Sequence, residues 1–460
     1  MKLKWIMLLA AVGYIAGVAR ADIATFRLGD NTGEDWEPAI AADGGYVYAY
    51  WPHYLPTTLK DSTGATCMPY STNGGGKNNT TSAYMYLQVS ANGGSTWGNV
   101  TIPRCPVNGN TVDAQVVIGV NHRVYIANMD GNSGYTPITV SYSDDHGATW
   151  SVPVDVTNGG RGDKDILLVD GQNNVIVAYE NGGKQFVSVS TNGGASFTSK
   201  QVVAAGSGVA LACGGALDTK GNAYFAWAGT NNTGKGPTTF YVMRSNDLYA
   251  TYSVTTVDEG QGEPIVPSAG WDYWGGNIAL AIRPMAPPAN DRVVVVYAAG
   301  AVAAGAERVY TKYSDTLGAS WNIPYNSSSW PNGTQLSLAP AGVWHGFPAL
   351  VGTSSQVKAI WMDNRATPGG TYTCVSSGVT GQCGVWNVYT RSSADGATNW
   401  STEVRMSQAT PYRNYQTTAG YDHPYGDYTW ISTDGAGHFY GIWGEGESYL
   451  GNGDVYYSKF

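Results

Sequence analysis

Three short stretches concentrate groups that can move protons or hold charge. YDHPYGDY, residues 421–428, sets His423, Tyr425 and Asp427 within five positions of one another. GVWHGFP, 342–348, carries Trp344 and His345, and WMDNR, 361–365, carries Asp363 and Arg365. A fourth, EDWEP at 34–38, brings Asp35 and Glu37 to one strand entry. These are the residue types of general acid–base work: two carboxylates are sufficient for glycoside hydrolysis, and a Tyr/His pair suits β-elimination. Each stretch also has a plain structural reading. The Pro-containing run makes a turn with stacked aromatics, Asp363 and Arg365 make an ion pair, and carboxylates at strand starts cap turns. The elements that carry the groups decide between the readings.

Charged residues are 13% of the 460, about half the usual share, while 61 Gly, 32 Tyr and 16 Trp supply tight turns and aromatics suited to pleated surfaces. An all-β fold is expected. The N-terminus has Lys2 and Lys4, an apolar run from Trp5 to Val18, and Ala19-Arg20-Ala21, the pattern of a cleaved signal peptide over 1–21. That run is shorter than the ~20 residues needed to cross a bilayer, and no later stretch qualifies. A soluble, secreted or periplasmic protein with no membrane span is expected, its single domain covering 22–460. Without Lys2, Lys4 and Arg20, 22 of the 25 basic residues face 34 acidic ones, a formal charge of −12. Nucleic acid and anionic membrane are therefore poor partners.

An exported chain can form disulfides among Cys67, Cys105, Cys213, Cys374 and Cys383. Cys374 and Cys383 share one short loop and are the nearest pair, worth roughly 2 to 3 kcal/mol if unstrained. Cys67 with Cys105 is a second pairing, and Cys213 inside ALACGGAL reads as a small buried apolar residue. The spacings of structural zinc are absent. No cofactor is required, although Ca²⁺ in an acidic loop is compatible with the composition.

The chain repeats itself. SANGGSTW (90–97), SDDHGATW (143–150), STNGGASF (190–197), SNDLYATY (245–252), SDTLGASW (314–321) and SADGATNW (393–400) each follow an alternating apolar run. Ser, Asp and Asn bond nearby backbone, Gly accepts positive φ, and the final aromatic can pack between layers, so the box is a structural turn. A pair of strands precedes each box, and seven such pairs occur, from EPAIAADGGYVYAYW (37–51) to DYTWISTDGAGHFYGIW (427–443). Trp51 and Trp443 are six intervals apart, a mean of about 65 residues, which suits one four-stranded unit. The seventh unit runs only to DVYYSKF and lacks a fourth strand, while DIATFRL (22–28) is a strand with no unit of its own. If the two pair, the ring closes and both edges vanish. The expectation is a seven-bladed β-propeller closed by an N-terminal strand, with six blades as the alternative count.

At this point the boxes resemble the Asp-box (BNR) repeats of sialidases and related exported propellers; 143–150 matches the pattern fully, and the others vary at one or two places. The resemblance implies a binding face opposite the boxes, carrying the inner-strand entries and the loops after the second strands. Those places hold Asp35, Glu37, Asp113, Asp163, Trp274, Trp344, His345, His423, Tyr425 and Asp427, then Trp51, His53, Asp363, Arg365 and Glu445. Carboxylates and aromatics gathered in this way suit a sugar. Glu37 and Asp427 align in their repeats and form the candidate carboxylate pair, with His345, His423 and Tyr425 as further proton carriers. A sialidase additionally holds its substrate with three arginines, and here Trp36 stands where the first is expected, which argues against a true exo-sialidase. The resemblance thus implies a secreted monomeric propeller acting on extracellular glycan or a surface glycoconjugate, by glycoside hydrolysis or polysaccharide cleavage. The alternative is a non-catalytic propeller that binds glycan or protein.

Overall fold

The computed structural model of the chain describes residues 23–30, 33–54, 59–67, 83–131, 136–203, 210–229, 236–262, 277–287, 291–301, 306–365, 372–373, 380–383, 386–407, 428–446 and 453–460. Among these residues seven four-stranded antiparallel sheets follow one another. Their inner strands are Ala39–Asp43, Asn110–Ile118, Asp163–Val169, Ala210–Leu217, Ile278–Arg283, His345–Gly352 and Trp430–Thr433. Each touches the next, and Trp430–Thr433 touches Ala39–Asp43, so the set closes into a seven-bladed β-propeller. The closure is the expected one. Thr25–Arg27 pairs with Gly453–Lys459, Thr25 opposite Ser458 and Arg27 opposite Tyr456, giving blade 7 its outer strand. Blade 1 departs from the plan. Its inner strand is broken into Glu34–Asp35 and Ala39–Asp43, and the edge beyond Ala83–Ser90 is reduced to one bridge, Leu87 to Thr101.

The core lies between blades. Because side chains alternate along a strand, each second strand serves two neighbours. In Arg292–Ala299, Val293, Val295 and Tyr297 enter the interface with blade 4, while Val294 and Val296 enter the interface with blade 6. Seven such clusters occur among the described residues, one per blade boundary. A fully buried large side chain contributes about 1.5 to 3 kcal/mol, so these clusters dominate the stability. Trp51 belongs here. Fully buried, it packs between blades 7 and 1, and the same register place holds Tyr179, Trp227, Tyr297, Trp361 and Trp443 in other blades. Its expected role at a binding face is corrected: it is the repeat's core aromatic.

All six boxes form the same turn. Ser143 Oγ accepts the N–H of Gly147 and donates to Asp145, which accepts the N–H of Thr149. The Ser and its partner two residues on do the same at Ser90, Ser190, Ser245, Ser314 and Ser393. In the fourth, the final Tyr252 is 40% exposed, and Tyr249, three residues earlier, is the buried aromatic. The turns also join blades, since each is held by the preceding blade. Tyr48 Oη meets His146 Nδ1 at 2.9 Å, Lys200 Nζ donates to Tyr249 O at 2.8 Å, and Arg292 donates to the carbonyls of Asp395 and Gly396 at 2.9 and 3.0 Å. Lys459 Nζ donates to Gly93 O at 3.0 Å, fastening blade 7 to blade 1. At the blade 6 to 7 boundary, Lys358 Nζ instead sits 4.3 and 4.2 Å from the ring centres of Phe439 and Phe460.

The disulfide is Cys67–Cys105, which ties the hairpin after the second strand of blade 1 to the entry of blade 2. For a sequence separation of 38, its contribution is roughly 3 to 4 kcal/mol. Cys374 and the side chains of Cys213 and Cys383 lie outside the described residues.

The blade clamps give a test. Arg292 also pairs with both Asp315 oxygens, at 2.7 and 2.9 Å, and lies over Tyr313. Arg292→Ala is expected to lower the unfolding free energy by about 2 kcal/mol, read from the urea midpoint. Lys220→Ala, at an exposed site, should change it by no more than about 0.5 kcal/mol.

Candidate functional site

The inner strands share a local irregularity. In blades 1, 2, 3 and 6 one extra residue is inserted at the strand entry, and Glu37, Asp113, Lys164 and Phe347 take left-handed backbone there, with φ of 49, 60, 53 and 50°. They occupy one register place. Each precedes by two the residue paired just before the core position of the second strand: Ala39 with Tyr50, Gln115 with Ala127, Ile166 with Ala178, Ala349 with Ile360. In blade 7, Trp430 pairs with Ile442, so Tyr428 holds that place. The expected alignment of Glu37 with Asp427 is therefore off by one residue. A β-bulge shifts every side chain before it relative to the pleat, which no reading by alternation alone anticipates. Left-handed backbone in a non-glycine residue costs on the order of 1 kcal/mol, and its repetition marks a place where side-chain direction matters.

The bulges bring side chains of different blades together. Lys164 Nζ, from blade 3, lies 3.3 Å from Asp113 Oδ1 of blade 2 and 4.9 Å from the ring centre of Tyr428 of blade 7. Blades 3 and 7 are not neighbours, so this contact crosses the propeller axis. Asp113 also accepts the backbone N–H of Lys164, at 3.4 Å. Behind this end of the axis is a cavity of about 320 Å³, walled by inner-strand residues such as Ile166, Leu168, Leu280, Leu350 and Ile431, with Phe347 and Tyr428 in its lining.

Around Lys164 stand Asp113, Asp163, Asp165 and Glu180. Burial, reinforced by repulsion from Asp113 and Glu180, outweighs the attraction of Lys164 and raises Asp163 to about 7. The Asp113 and Asp163 carboxyls also share a hydrogen bond. Asp165 is driven well above the carboxylate range by burial and then by Asp113; among the described residues neither of its oxygens has a hydrogen-bond partner in another residue. Burial raises Glu180, which is paired across the strands with Asp163. Glu37, Asp113 and Lys164 are only 7, 3 and 8% exposed; Asp163 and Glu180 are half-buried and Arg161 is exposed, so the accessible edge of the group lies on blade 3. The arrangement sets Asp113 against a cation and raises its neighbour Asp163 to about 7, in the range that suits acid–base catalysis.

The other expected residues are held elsewhere. His345 is fully buried, its Nδ1 donating to Glu307 O at 2.7 Å and its Nε2 2.7 Å from Ser337 Oγ. Burial lowers its pKa, and with both nitrogens engaged inside the blade wall it has no face toward the axis. Asp363 takes both ends of Arg365, through Nε at 2.8 Å and Nη2 at 2.5 Å, and Arg365 also reaches Glu403 and stacks on Tyr389. This pair is the ion-pair reading, inside blade 6. Asp35 and His53 form a buried pair, Oδ1 to Nδ1 2.6 Å, with His53 stacked on Tyr86 at 3.8 Å, and a Cβ on Gly33 would meet His53 Nε2 at 2.9 Å. Burial raises the Asp35 carboxyl. Glu445 accepts Trp443 Nε1 at 2.9 Å, and Trp344 packs against the blade 6 to 7 core. Thus Asp35, His53, His345, Asp363, Arg365 and Glu445 are engaged within their own blades, and Trp344 is half-buried against a blade boundary. Trp274, His423, Tyr425 and Asp427 lie outside the described residues. Lys164 was not anticipated. Aligning the repeats on the second-strand aromatic misses both it and Tyr428 by one residue, because the hairpin turns differ in length: Asp43 pairs with Tyr46 in blade 1, and Val169 with Val175 in blade 3. Among the described residues no three His, Cys, Asp or Glu side chains are grouped to hold a metal ion.

No family model matches this sequence, and no curated protein does. Among solved structures the chain is similar to a protein of unknown function from Dyadobacter fermentans, with TM-score 0.42 and 12% identity over 76% of this chain and 96% of that one. It is also similar to an ulvan lyase of a new polysaccharide lyase family, at 0.43 and 12% over 73 and 78%. Trypanosoma rangeli sialidase in complex with sialic acid gives 0.43 and 12%, over 95% of this chain but 57% of that one. These are likenesses of architecture, and the chemistry rests on the residues above.

The raised Asp163 predicts a linkage. Its folded value, about 7, lies above the ordinary 3.8, so its proton favours the fold at low pH, and that contribution is lost as pH rises through about 7. Asp163→Asn lacks the loss. Thermal melts from pH 4 to 8 should show the variant gaining stability relative to the parent as pH rises.

Proposed function

We propose that the chain acts on an extracellular glycan at the bulged end of the propeller axis, by acid–base cleavage in which Asp163 is the proton donor. The observation that carries this reading is the Asp113–Asp163 pair: one carboxylate is bound to Lys164, and its hydrogen-bonded neighbour is raised to about 7. Asp163 would protonate the departing oxygen, Asp113 would stabilise positive charge developing on the sugar, and the Tyr428 ring offers an apolar face. Glu37, on the equivalent bulge of blade 1, is the candidate second carboxylate, and Asp427, His423 and Tyr425 are further candidates next to Tyr428. Either hydrolysis or lyase cleavage is compatible with this set, and Arg161 at the exposed edge suits a uronic acid.

The burial of Glu37, Asp113 and Lys164 favours a second reading, a non-catalytic propeller that binds glycan or protein. One screen separates the two. The protein is incubated with neutral, uronic and sialylated glycans while reducing ends, unsaturated products and binding are followed together. Product is expected, with a rate that declines above about pH 7 as Asp163 loses its proton, and Asp163→Asn should lower kcat by about 100-fold or more. Undiminished turnover in Asp163→Asn removes Asp163 from the mechanism, and full activity in Glu37→Gln/Asp427→Asn removes those two. Saturable binding without product establishes the second reading.

A further inference from the structure

The face opposite the bulges carries a histidine pair that the proposed function does not use. His122 closes the short turn Val120–His122 between the inner and second strands of blade 2, and His146 lies in the turn after the third strand of that blade. Their ring centres are 6.4 Å apart. Both residues have left-handed backbone, φ 60 and 58°, as does Asn121 at 58°. At the place of His146, three of the other boxes use Gly93, Gly193 and Gly396. Blade 1 orients both rings. His122 Nδ1 is hydrogen-bonded to the Asp43 carboxylate, and His146 Nδ1 to Tyr48 Oη at 2.9 Å, with the His146 ring stacked on Tyr46 at 3.9 Å and 4°.

In each ring this leaves Nε2 as the nitrogen without a hydrogen bond among the described residues. A carboxylate on Nδ1 is the support that metal-ligating histidines usually have, because it fixes the Nε2 lone pair outward and raises its basicity. Two imidazoles on one metal at about 2.0 to 2.1 Å place their ring centres roughly 5 Å apart in a tetrahedral arrangement and roughly 6.4 Å apart in a trans one, so the 6.4 Å separation fits the trans arrangement directly and the tetrahedral one after closing by about 1 Å. The His122 side chain is 63% exposed, so it is free to make the final adjustment.

We propose that His122 and His146 form a surface site for a borderline divalent cation of the zinc, nickel or copper class, bound through both Nε2 atoms. Imidazole favours these ions over Ca²⁺ or Mg²⁺. Asp43 and Tyr48 orient the rings, and the open positions are left to water or to a ligand from outside.

The test is titration calorimetry of the chelator-treated full protein with Zn²⁺. One site is expected, weakened at least tenfold by His122→Ala and by His146→Ala and unchanged by His438→Ala, whose histidine has its own aspartate, Asp434, but no second histidine ring beside it among the described residues. Absence of binding, or affinity retained in both histidine variants, overturns the proposal. Electron paramagnetic resonance of the Cu²⁺-loaded parent is a check that needs no variant: hyperfine coupling to two imidazole nitrogens is expected, and coupling to one or none overturns it.

Discussion

The pairing of Thr25–Arg27 with Gly453–Lys459 joins chain segments more than 420 positions apart, and the rest of the molecule depends on it. Without it, blade 7 ends at an unpaired edge, and its angle to blade 1 is left to the core they share and to the contacts of the blade 1 turn. The interblade cores are separate clusters, each shared by two neighbours, so the angle set at one boundary is passed around the ring. A residue of blade 3 can lie over a residue of blade 7 only in a closed ring of fixed diameter. The Lys164–Tyr428 contact is a consequence of the closure. The turns support the same constraint from the other face, where the blade 7 side chains Tyr440, Tyr457 and Lys459 bond to the turn of blade 1.

Within the closed ring the chemistry depends on a smaller device. An unbulged inner strand would send alternate side chains into the two interblade cores, as the second strands do. The inserted residue breaks that alternation once, at the strand entries of blades 1, 2, 3 and 6, and in blades 2 and 3 it brings Asp113 and Lys164 together beside Tyr428. A carboxylate, a carboxylate, a lysine and a phenylalanine at these places make an end of the axis that is chemically uneven, acidic on blades 1 to 3 and apolar on blade 6. The low-dielectric surroundings then act on the acidic side, where four carboxylates share few cations and Asp163 is raised to about 7. Burial is the first cause of every raised carboxyl in the group, and mutual repulsion is secondary.

Much of this architecture is legible from local pattern. The seven strand pairs, the six turns and the strand that completes blade 7 all follow from alternation and turn chemistry, because a repeated local signal can be compared with its own copies. Cys67–Cys105 is legible only as one of several pairings, since sequence separation does not give Cα distance. The candidate site is legible in part. Asp113, Asp163 and Glu37 stand at the strand entries where the repeat pattern puts them, while Trp51, His53, His345, Asp363, Arg365 and Glu445 carry suggestive side chains but are engaged within or between blades.

The division has a physical origin. Strand, turn and blade count arise from contacts between residues near in sequence, such as Ser143 with Asp145 and Gly147, and so they are written in the order of residues. The meeting of Asp113, Lys164 and Tyr428 joins segments 51 and 264 positions apart around a ring, and its direction is set by a single inserted residue whose φ the sequence does not announce. Burial then assigns the charges, since a carboxylate looks the same in sequence whether water or protein surrounds it. Composition and periodicity therefore suffice for the propeller, and closure, bulge and burial are what turn a row of acidic strand entries into one proton-bearing group.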